Sequence, residues 1–149
     1  MLRYGFLPSD FNPMVLFLGE AEDLRRLSEV LRRFSASPAE IRFDDLDFCA
    51  PADGTAIVLK EAAGPGGMRR SGEGGVFHWT LDAAQAAEFA ERVEGLAAPD
   101  RPAGAEMLGP DAPDERDGIP VKVSRGEYTD DFLLPAEPRA RQGTSGGKG

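Results

Sequence analysis

Apolar residues recur with two different periods along this chain, and the change of period marks the predicted elements. In residues 2–7 apolar side chains alternate with polar or small ones, which is typical of a half-buried strand. Residues 14–18 are apolar at every position, which favours a central strand covered on both faces. Further strands are predicted over residues 56–60, 76–81 and 119–124.

Two other segments repeat apolar residues every three or four positions, as amphipathic helices do. The first helix is predicted from about residue 20 to residue 35, and Pro38 ends it. The second begins after Asp82, a good N-cap residue, and Gln85 three positions later completes a capping box. Both helices therefore have an apolar stripe that must be buried against other elements.

Two of the predicted strands contain a feature that bears on their form or on their position in the sheet. Residues 41–48 carry a strand pattern in which the apolar positions change parity halfway. Either this strand bulges at residues 44–45, or two short segments meet there. Pro120 predicts an edge position for the strand over 119–124, because proline lacks the N–H that a central strand donates.

The two strand–helix units correspond when the chain is shifted by about 62 residues. The apolar stripe of the first helix then falls on that of the second, and Phe17 falls on Trp79. This match predicts two helices packed side by side on one face of a sheet. The alternative interpretation is that any two strand–helix units would match this well, because few identical residues accompany the match.

The elements together predict an α+β fold: a mostly antiparallel sheet of about five to seven strands with two helices packed on one face. The β-α-β-β-α-β order resembles a ferredoxin-like arrangement with extra strands, over residues 14–124 at most. That resemblance is topological and implies no function. We expect a single domain over residues 1–134 and a disordered tail over residues 135–149, where apolar periodicity is lost.

The charge balance limits the partners. The 149 residues include 26 acidic and 17 basic ones, so the net charge is −9, and we expect no nucleic-acid partner because a polyanion would be repelled. A basic protein partner would suit this charge, although the charge could also serve solubility alone. No apolar run is long enough for a membrane span. Cys49 is the only cysteine, which suits a reducing compartment, and we expect a cytoplasmic protein.

Few residues suggest catalysis. His78 is the only histidine, so a two-histidine metal site is excluded, and it is a weak catalytic candidate. Asp44, Asp45 and Asp47 could bind a cation or, together with His78, form a small hydrolase-like site. The alternative interpretation is a solvated acidic turn and a surface or interface histidine. No metal and no cofactor are predicted.

Two other segments are candidate binding sites. Arg69 and Arg70 lie at the middle of a glycine-rich loop over residues 64–75, which could hold an anion between backbone amides and guanidinium groups. Asp130 and Asp131, beside the aromatic Tyr128, form an acidic edge that could recognise a basic partner. In the alternative interpretations the loop only connects two strands and the aromatic residue belongs to the core.

These features favour a non-enzymatic protein-binding module, such as an inhibitor, an adaptor or an immunity-type protein. Small size, acidity and the lack of a recognisable catalytic motif permit this function without requiring it. A small hydrolase-like enzyme with a carboxylate and histidine site is one alternative. The other is an anion or small-ligand sensor that uses the loop with Arg69 and Arg70.

Overall fold

The fold was determined as a computed structural model, which describes residues 1–7, 13–51, 54–70, 76–100, 104–109 and 118–126. The predicted tail over residues 135–149 lies outside the described residues. Neither helix within the described ranges is long and apolar enough to cross a membrane.

The described residues form nine strands and two helices. The strands are β1 (Leu2–Leu7), β2 (Met14–Gly19), β3 (Ile41–Arg42), β4 (Cys49–Pro51), β5 (Ala56–Glu61), β6 (Met68–Arg70), β7 (Val76–Leu81), β8 (Gly104–Met107) and β9 (Val121–Arg125). The helices are α1 (Ala21–Ala36) and α2 (Ala83–Leu96), and a 3-10 turn covers Phe43–Asp45. The α+β prediction and the prediction of two packed helices are confirmed.

The strands form two mixed sheets within the described part of the chain, so the expectation of one mostly antiparallel sheet is corrected. One sheet has the order β4-β1-β2-β9-β8 and the other the order β3-β5-β7-β6. Parallel pairs occur in both sheets, since β2 pairs with β9 and β5 pairs with β7 in parallel. Parallel partners need long connections, so the sequence pattern of a strand does not reveal them.

The structure shows the form of the first of these two strands and the position of the second. Residues 41–48 do not form one bulged strand, because β3 and β4 are separate short strands with the 3-10 turn between them. The edge prediction from Pro120 is wrong, because β9 lies between β2 and β8. Pro120 precedes the strand, and its carbonyl accepts a hydrogen bond from the backbone N–H of Val15 at 3.0 Å. The missing N–H therefore leaves no gap in the β9 ladder.

Both helices begin with reciprocal capping at equivalent positions. In α2 the backbone N–H of Gln85 donates to Asp82 Oδ1 at 2.8 Å, and the backbone N–H of Asp82 donates to Gln85 Oε1 at 3.1 Å. This confirms the predicted capping box. In α1 the backbone N–H of Glu20 donates to Asp23 Oδ2 at 3.0 Å. The two N-cap residues are thus separated by the same shift that aligns the two sequences.

The two halves of the chain repeat one arrangement. In the first sheet β2 has an antiparallel neighbour, β1, on one side and a parallel neighbour, β9, on the other, and β8 follows β9 antiparallel. In the second sheet β7 has the antiparallel neighbour β6 and the parallel neighbour β5, and β3 follows β5 antiparallel. Each half therefore contributes a β-β-α-β-β unit, and β4 is an addition at the edge of the first sheet.

Two strands that follow each helix are exchanged between the halves. Strands β3 and β5 follow α1 in the chain, yet they belong to the sheet of β7. Strands β8 and β9 follow α2, yet they belong to the sheet of β2. The sheets also meet directly, because the backbone N–H of Ile119 donates to the carbonyl of Met68 at 2.8 Å.

One hydrophobic core joins both sheets and both helices. Its centre contains the rings of Phe17, Phe43 and Trp79, which are each at most 1% exposed. The helices contact each other at their ends, since Ser35 Oγ donates to the carbonyl of Ala83 at 2.9 Å. This packing leaves the polar face of α1 beside the segment that leads into β4, and that is where the candidate site lies.

Candidate functional site

A cleft with a volume of about 470 Å³ opens between the polar face of α1 and the residues that lead into β4. We call it the α1 cleft. Its lining residues are Arg26, Glu29, Val30, Arg32, Arg33, Leu46, Asp47 and Phe48. Sites that bind small molecules have volumes of roughly 300–1,000 Å³, so the α1 cleft is large enough to bind a small ligand.

The floor of the α1 cleft is apolar. Val30 and Phe48 are 2% and 6% exposed, and Leu46 is half-buried. Val30 lies at the border of the apolar stripe of α1, and the 3-10 turn brings Leu46 and Phe48 alongside the helix. An apolar group of a ligand would therefore find hydrophobic side chains already held in place by the core.

The rim of the α1 cleft carries more positive than negative charge. The guanidinium of Arg26 lies 4.7 Å from the centre of the Phe48 ring and donates to Asp47 Oδ1 at 3.1 Å. Arg32 donates to Glu94 Oε1 at 2.8 Å. The exposed Arg33 side chain has no ion pair or hydrogen bond to any residue that the structure describes.

The second half of the chain does not repeat this chemistry. Arg32 and its partner Glu94 are 62 residues apart, and the same shift along the chain places the three cleft arginines at positions on α2. Those positions hold Glu88, Glu94 and Gly95. The two helices share a fold position and have opposite charge at their exposed faces, so the arginines of α1 are not required by the repeated architecture.

The structure does not bring the three predicted aspartates together in one site. Asp47 lines the α1 cleft, and Asp44 lies 3.6 Å from the Nε atom of Arg42 outside it. Asp45 is exposed on the 3-10 turn. Among the described residues there is no group of three or more histidine, cysteine, aspartate and glutamate side chains that could hold a metal ion.

His78 lies apart from these aspartates in the hydrogen-bond network. It is on β7, with Val58 of β5 and Arg69 of β6 as its direct neighbours in the sheet. Its Nδ1 atom is buried without a hydrogen-bond partner among the described residues. No hydrogen bond or ion pair joins His78 to the predicted aspartates, all of which the structure describes.

Arg69 and Arg70 belong to strand β6 and not to a loop, so the prediction of a loop with both guanidiniums at its middle is corrected. Successive residues of a strand point to opposite faces. Arg70 accordingly lies over Phe6 and Phe77, at 5.3 and 5.8 Å from the ring centres, whereas Arg69 is paired in register with His78. The predicted binding residues Tyr128, Asp130 and Asp131 lie outside the described residues.

Two buried groups with acidic protons remain neutral at pH 7. Burial raises the pKa of the Cys49 thiol to about 12, and the neighbouring Asp23 carboxylate adds to the effect. Burial also raises the pKa of Tyr4 above its ordinary value, and Asp44 contributes in the same direction. A thiol held protonated is a poor nucleophile.

Sequence reasoning missed the α1 cleft. Arginines on the polar face of an amphipathic helix have the pattern of a solvated face, and they carry no local sign of a pocket. Phe48 and Leu46 come from another segment, and only the tertiary structure places them against α1. The available signal was that the exposed face of the first helix is arginine-rich in a chain whose net charge is −9.

Comparisons with protein families, with curated proteins and with solved structures find no match for this chain.

Proposed function

We propose that this protein is a non-enzymatic binding module that engages another protein, and that the α1 cleft is its recognition site. One observation carries the proposal: the α1 cleft combines a buried apolar floor with Arg33, an exposed cation that forms no ion pair with any residue that the structure describes. Apolar anchors in pockets and arginines are the groups that contribute most to protein–protein affinity.

The distribution of reactive groups supports binding over catalysis. General acid–base chemistry needs a proton-transferring side chain within hydrogen-bond reach of its reacting partner or of the group that orients it. His78 has no bond to Asp44, Asp45 or Asp47, and Cys49 has a raised pKa.

The overall charge favours a basic partner. A net charge of −9 attracts a basic protein at long range and raises its rate of encounter. The exposed residues Glu88, Glu91 and Glu94 on α2 would contribute to this attraction. The lone thiol of Cys49 agrees with a reducing compartment, so we propose that the encounter takes place in the cytoplasm.

The test is a photo-crosslinking experiment in the cells that make the protein. A photoreactive phenylalanine analogue replaces Leu46 in the α1 cleft, and the matched control replaces Ala87, which is exposed on α2. We expect an adduct with a different protein from position 46, none from position 87, and loss of the adduct on adding Arg33→Glu. Equal adducts from both positions, or no adduct from position 46, would refute the proposal.

A further inference from the structure

We infer that the α1 cleft binds the C-terminal residue of its partner protein, with the terminal carboxylate at Arg33 and the last side chain on the apolar floor. This inference rests on the proposed function, because it names the chemical group of the partner that the α1 cleft recognises.

The cation that would hold the carboxylate is Arg33. A guanidinium presents its N–H groups in a planar fork that matches the two oxygens of a carboxylate. Arg26 and Arg32 already donate to Asp47 and Glu94. Arg33 has no such acceptor among the described residues and lines the same cleft. Glu29 lies one helical turn before Arg33 and lines the same cleft, but no ion pair joins the two side chains, so the guanidinium of Arg33 keeps its donors for a carboxylate of a ligand.

The charge at the rim favours a single anion over an acidic stretch. Three arginines and two carboxylates line the α1 cleft, so the excess at the rim is a single positive charge, which matches one carboxylate of a ligand and not several. The net charge of −9 also repels a polyanion before contact. A single carboxylate matches the excess charge at the rim, and a chain that is otherwise neutral or basic is not repelled by the net charge of the protein.

The apolar floor selects which single carboxylate fits best. Leu46 is half-buried and offers hydrophobic contact in the same cleft as Arg33, and the nearly buried Val30 and Phe48 lie behind it. An internal aspartate or glutamate uses its own side chain to carry the charge. At a protein C-terminus, by contrast, the carboxylate and an apolar side chain are attached to the same carbon atom. Capture of a terminal carboxylate together with a pocket for the last side chain is an established mode of peptide recognition.

The asymmetry between the halves predicts one site per chain. The α2 positions that match Arg26, Arg32 and Arg33 hold two glutamates and a glycine. A carboxylate would be repelled there, so the repeated architecture does not supply a second equivalent site. Binding should therefore saturate at one ligand per chain.

The experiment uses the full chain and N-acetylated pentapeptides of sequence lysine-glycine-lysine-glycine-X, where X is phenylalanine, leucine or valine. Each peptide is prepared with a free C-terminal carboxylate and as the C-terminal amide, and binding is followed by amide chemical shifts in NMR titrations. We expect at least one peptide acid to bind one-to-one and to change the amide chemical shifts of Val30, Leu46 and Phe48. The affinity of the corresponding peptide amide should be lower by at least about tenfold.

The matched variants are Arg33→Gln and Arg25→Gln. Both residues are exposed arginines of α1, but Arg25 is paired with Glu22 and does not line the α1 cleft. We expect Arg33→Gln to lower the affinity for the peptide acid by about tenfold or more, and Arg25→Gln to change that affinity by less than about twofold. Circular dichroism spectra of the two variants should match that of the parent.

Several results would overturn the inference. These are equal affinities for acid and amide, equal losses in the two variants, no binding by any of the three acids, or tighter binding of inorganic phosphate or of a pentaglutamate amide. The two proposals fail separately. If the protein cross-linked at position 46 binds equally well when its C-terminal carboxylate is converted to an amide, only the carboxylate inference fails. If a free acid binds and no protein cross-links, the assignment of Arg33 to a carboxylate stands, and the protein partner of the proposed function fails.

Discussion

The indole of Trp79 stacks on the ring of Phe17, with the ring centres 5.7 Å apart and an interplanar angle of 28°. Phe17 occupies the same place in β2 that Trp79 occupies in β7, because the strands begin at Met14 and Val76. Equivalent residues of two repeated units can touch each other only where the units meet. The stack therefore marks the junction between the halves, and the ion pair between Arg32 and Glu94 marks it again on the helices.

Coupling across this junction is measurable by a double-mutant cycle. Phe17→Leu and Trp79→Leu should each lower the free energy of unfolding by more than about 1 kcal/mol, because each replaces an aromatic ring of a closely packed core with a smaller side chain. The double variant should lose less than the sum by about 0.5–1.5 kcal/mol, since the stack is broken only once. Urea unfolding followed by circular dichroism gives the three values.

A matched pair of residues controls for additivity. Leu18 lies on the other face of β2, in a separate small cluster with Leu16. The effects of Leu18→Val and Trp79→Leu on the free energy of unfolding should therefore add within about 0.5 kcal/mol. A coupling at Leu18 as large as that at Phe17 would contradict the assignment of Phe17 and Trp79 to the junction.

Two glycine-to-alanine substitutions should have opposite effects. Gly118 has φ +92°, and a Cβ atom there would lie 2.3 Å from the carbonyl oxygen of Met68, so Gly118→Ala should destabilise the protein by more than about 1 kcal/mol. Gly95 is helical with open space around its Cβ position, and Gly95→Ala should stabilise by about 0.5–1 kcal/mol. Thermal unfolding of both variants measures the two changes in stability. A stabilising Gly118→Ala would show that residue 118 does not approach the Met68 carbonyl oxygen closely.

Alkaline pH should destabilise the protein through Cys49. Its pKa is raised from 9.0 to about 12 by burial, so the unfolded chain loses this proton before the folded one does. The stabilising contribution is complete below pH 9 and declines as the pH rises toward 12. The expected slope is about 1.4 kcal/mol per pH unit for one group.

Variants identify the group responsible for that slope. Cys49→Ala should flatten the pH dependence of the unfolding free energy between about pH 9 and pH 10, whatever its effect on absolute stability. Tyr4 joins above pH 10, because its pKa is raised above that ordinary value, and Tyr4→Phe should flatten the dependence there. An unchanged slope in Cys49→Ala would contradict the burial of an ionisable thiol at this position.

Arg125 connects β9 to the end of α2. Its Nη1 atom donates to the carbonyl oxygens of Leu96 and Ala98 at 2.7 and 2.9 Å. Carbonyl groups at a helix end have no intrahelical donor, and a cation there also suits the helix dipole. Arg125→Met, which keeps an aliphatic stem, should lower the free energy of unfolding by about 1.5–3 kcal/mol in urea titrations. An exposed control, Arg25→Met, should cost less than about 1 kcal/mol.

Local patterns predicted the local elements well. The alternation in residues 76–81 and the capping pair Asp82 and Gln85 specify β7 and the start of α2, because both depend on neighbours in the chain. The match between Phe17 and Trp79 also has a structural counterpart, although few identical residues supported it. These predictions succeed because backbone hydrogen bonding and side-chain period are properties of short segments.

Long-range pairing could not be predicted in the same way. Val121 lies beside Val15 in a parallel pair, and nothing near either residue indicates the other. Pro120 misled because the N–H of a residue just before a strand is not needed by the ladder. The α1 cleft depends on the same kind of information, since Phe48 becomes its floor only after β4 has paired with β1.

The exchange of strands between the halves has a consequence for fragments of this protein. Strand β5 completes the sheet that is centred on β7, and β9 completes the sheet that is centred on β2. A fragment that ends before β6 would keep α1 but lack the strand beside β2, and its own β5 would have no neighbour on the β7 side. The complementary fragment, which begins at β6, would lack β5 beside β7 in the same way. Each fragment therefore leaves one strand without its parallel neighbour, and the two fragments mixed together should associate and re-form both sheets.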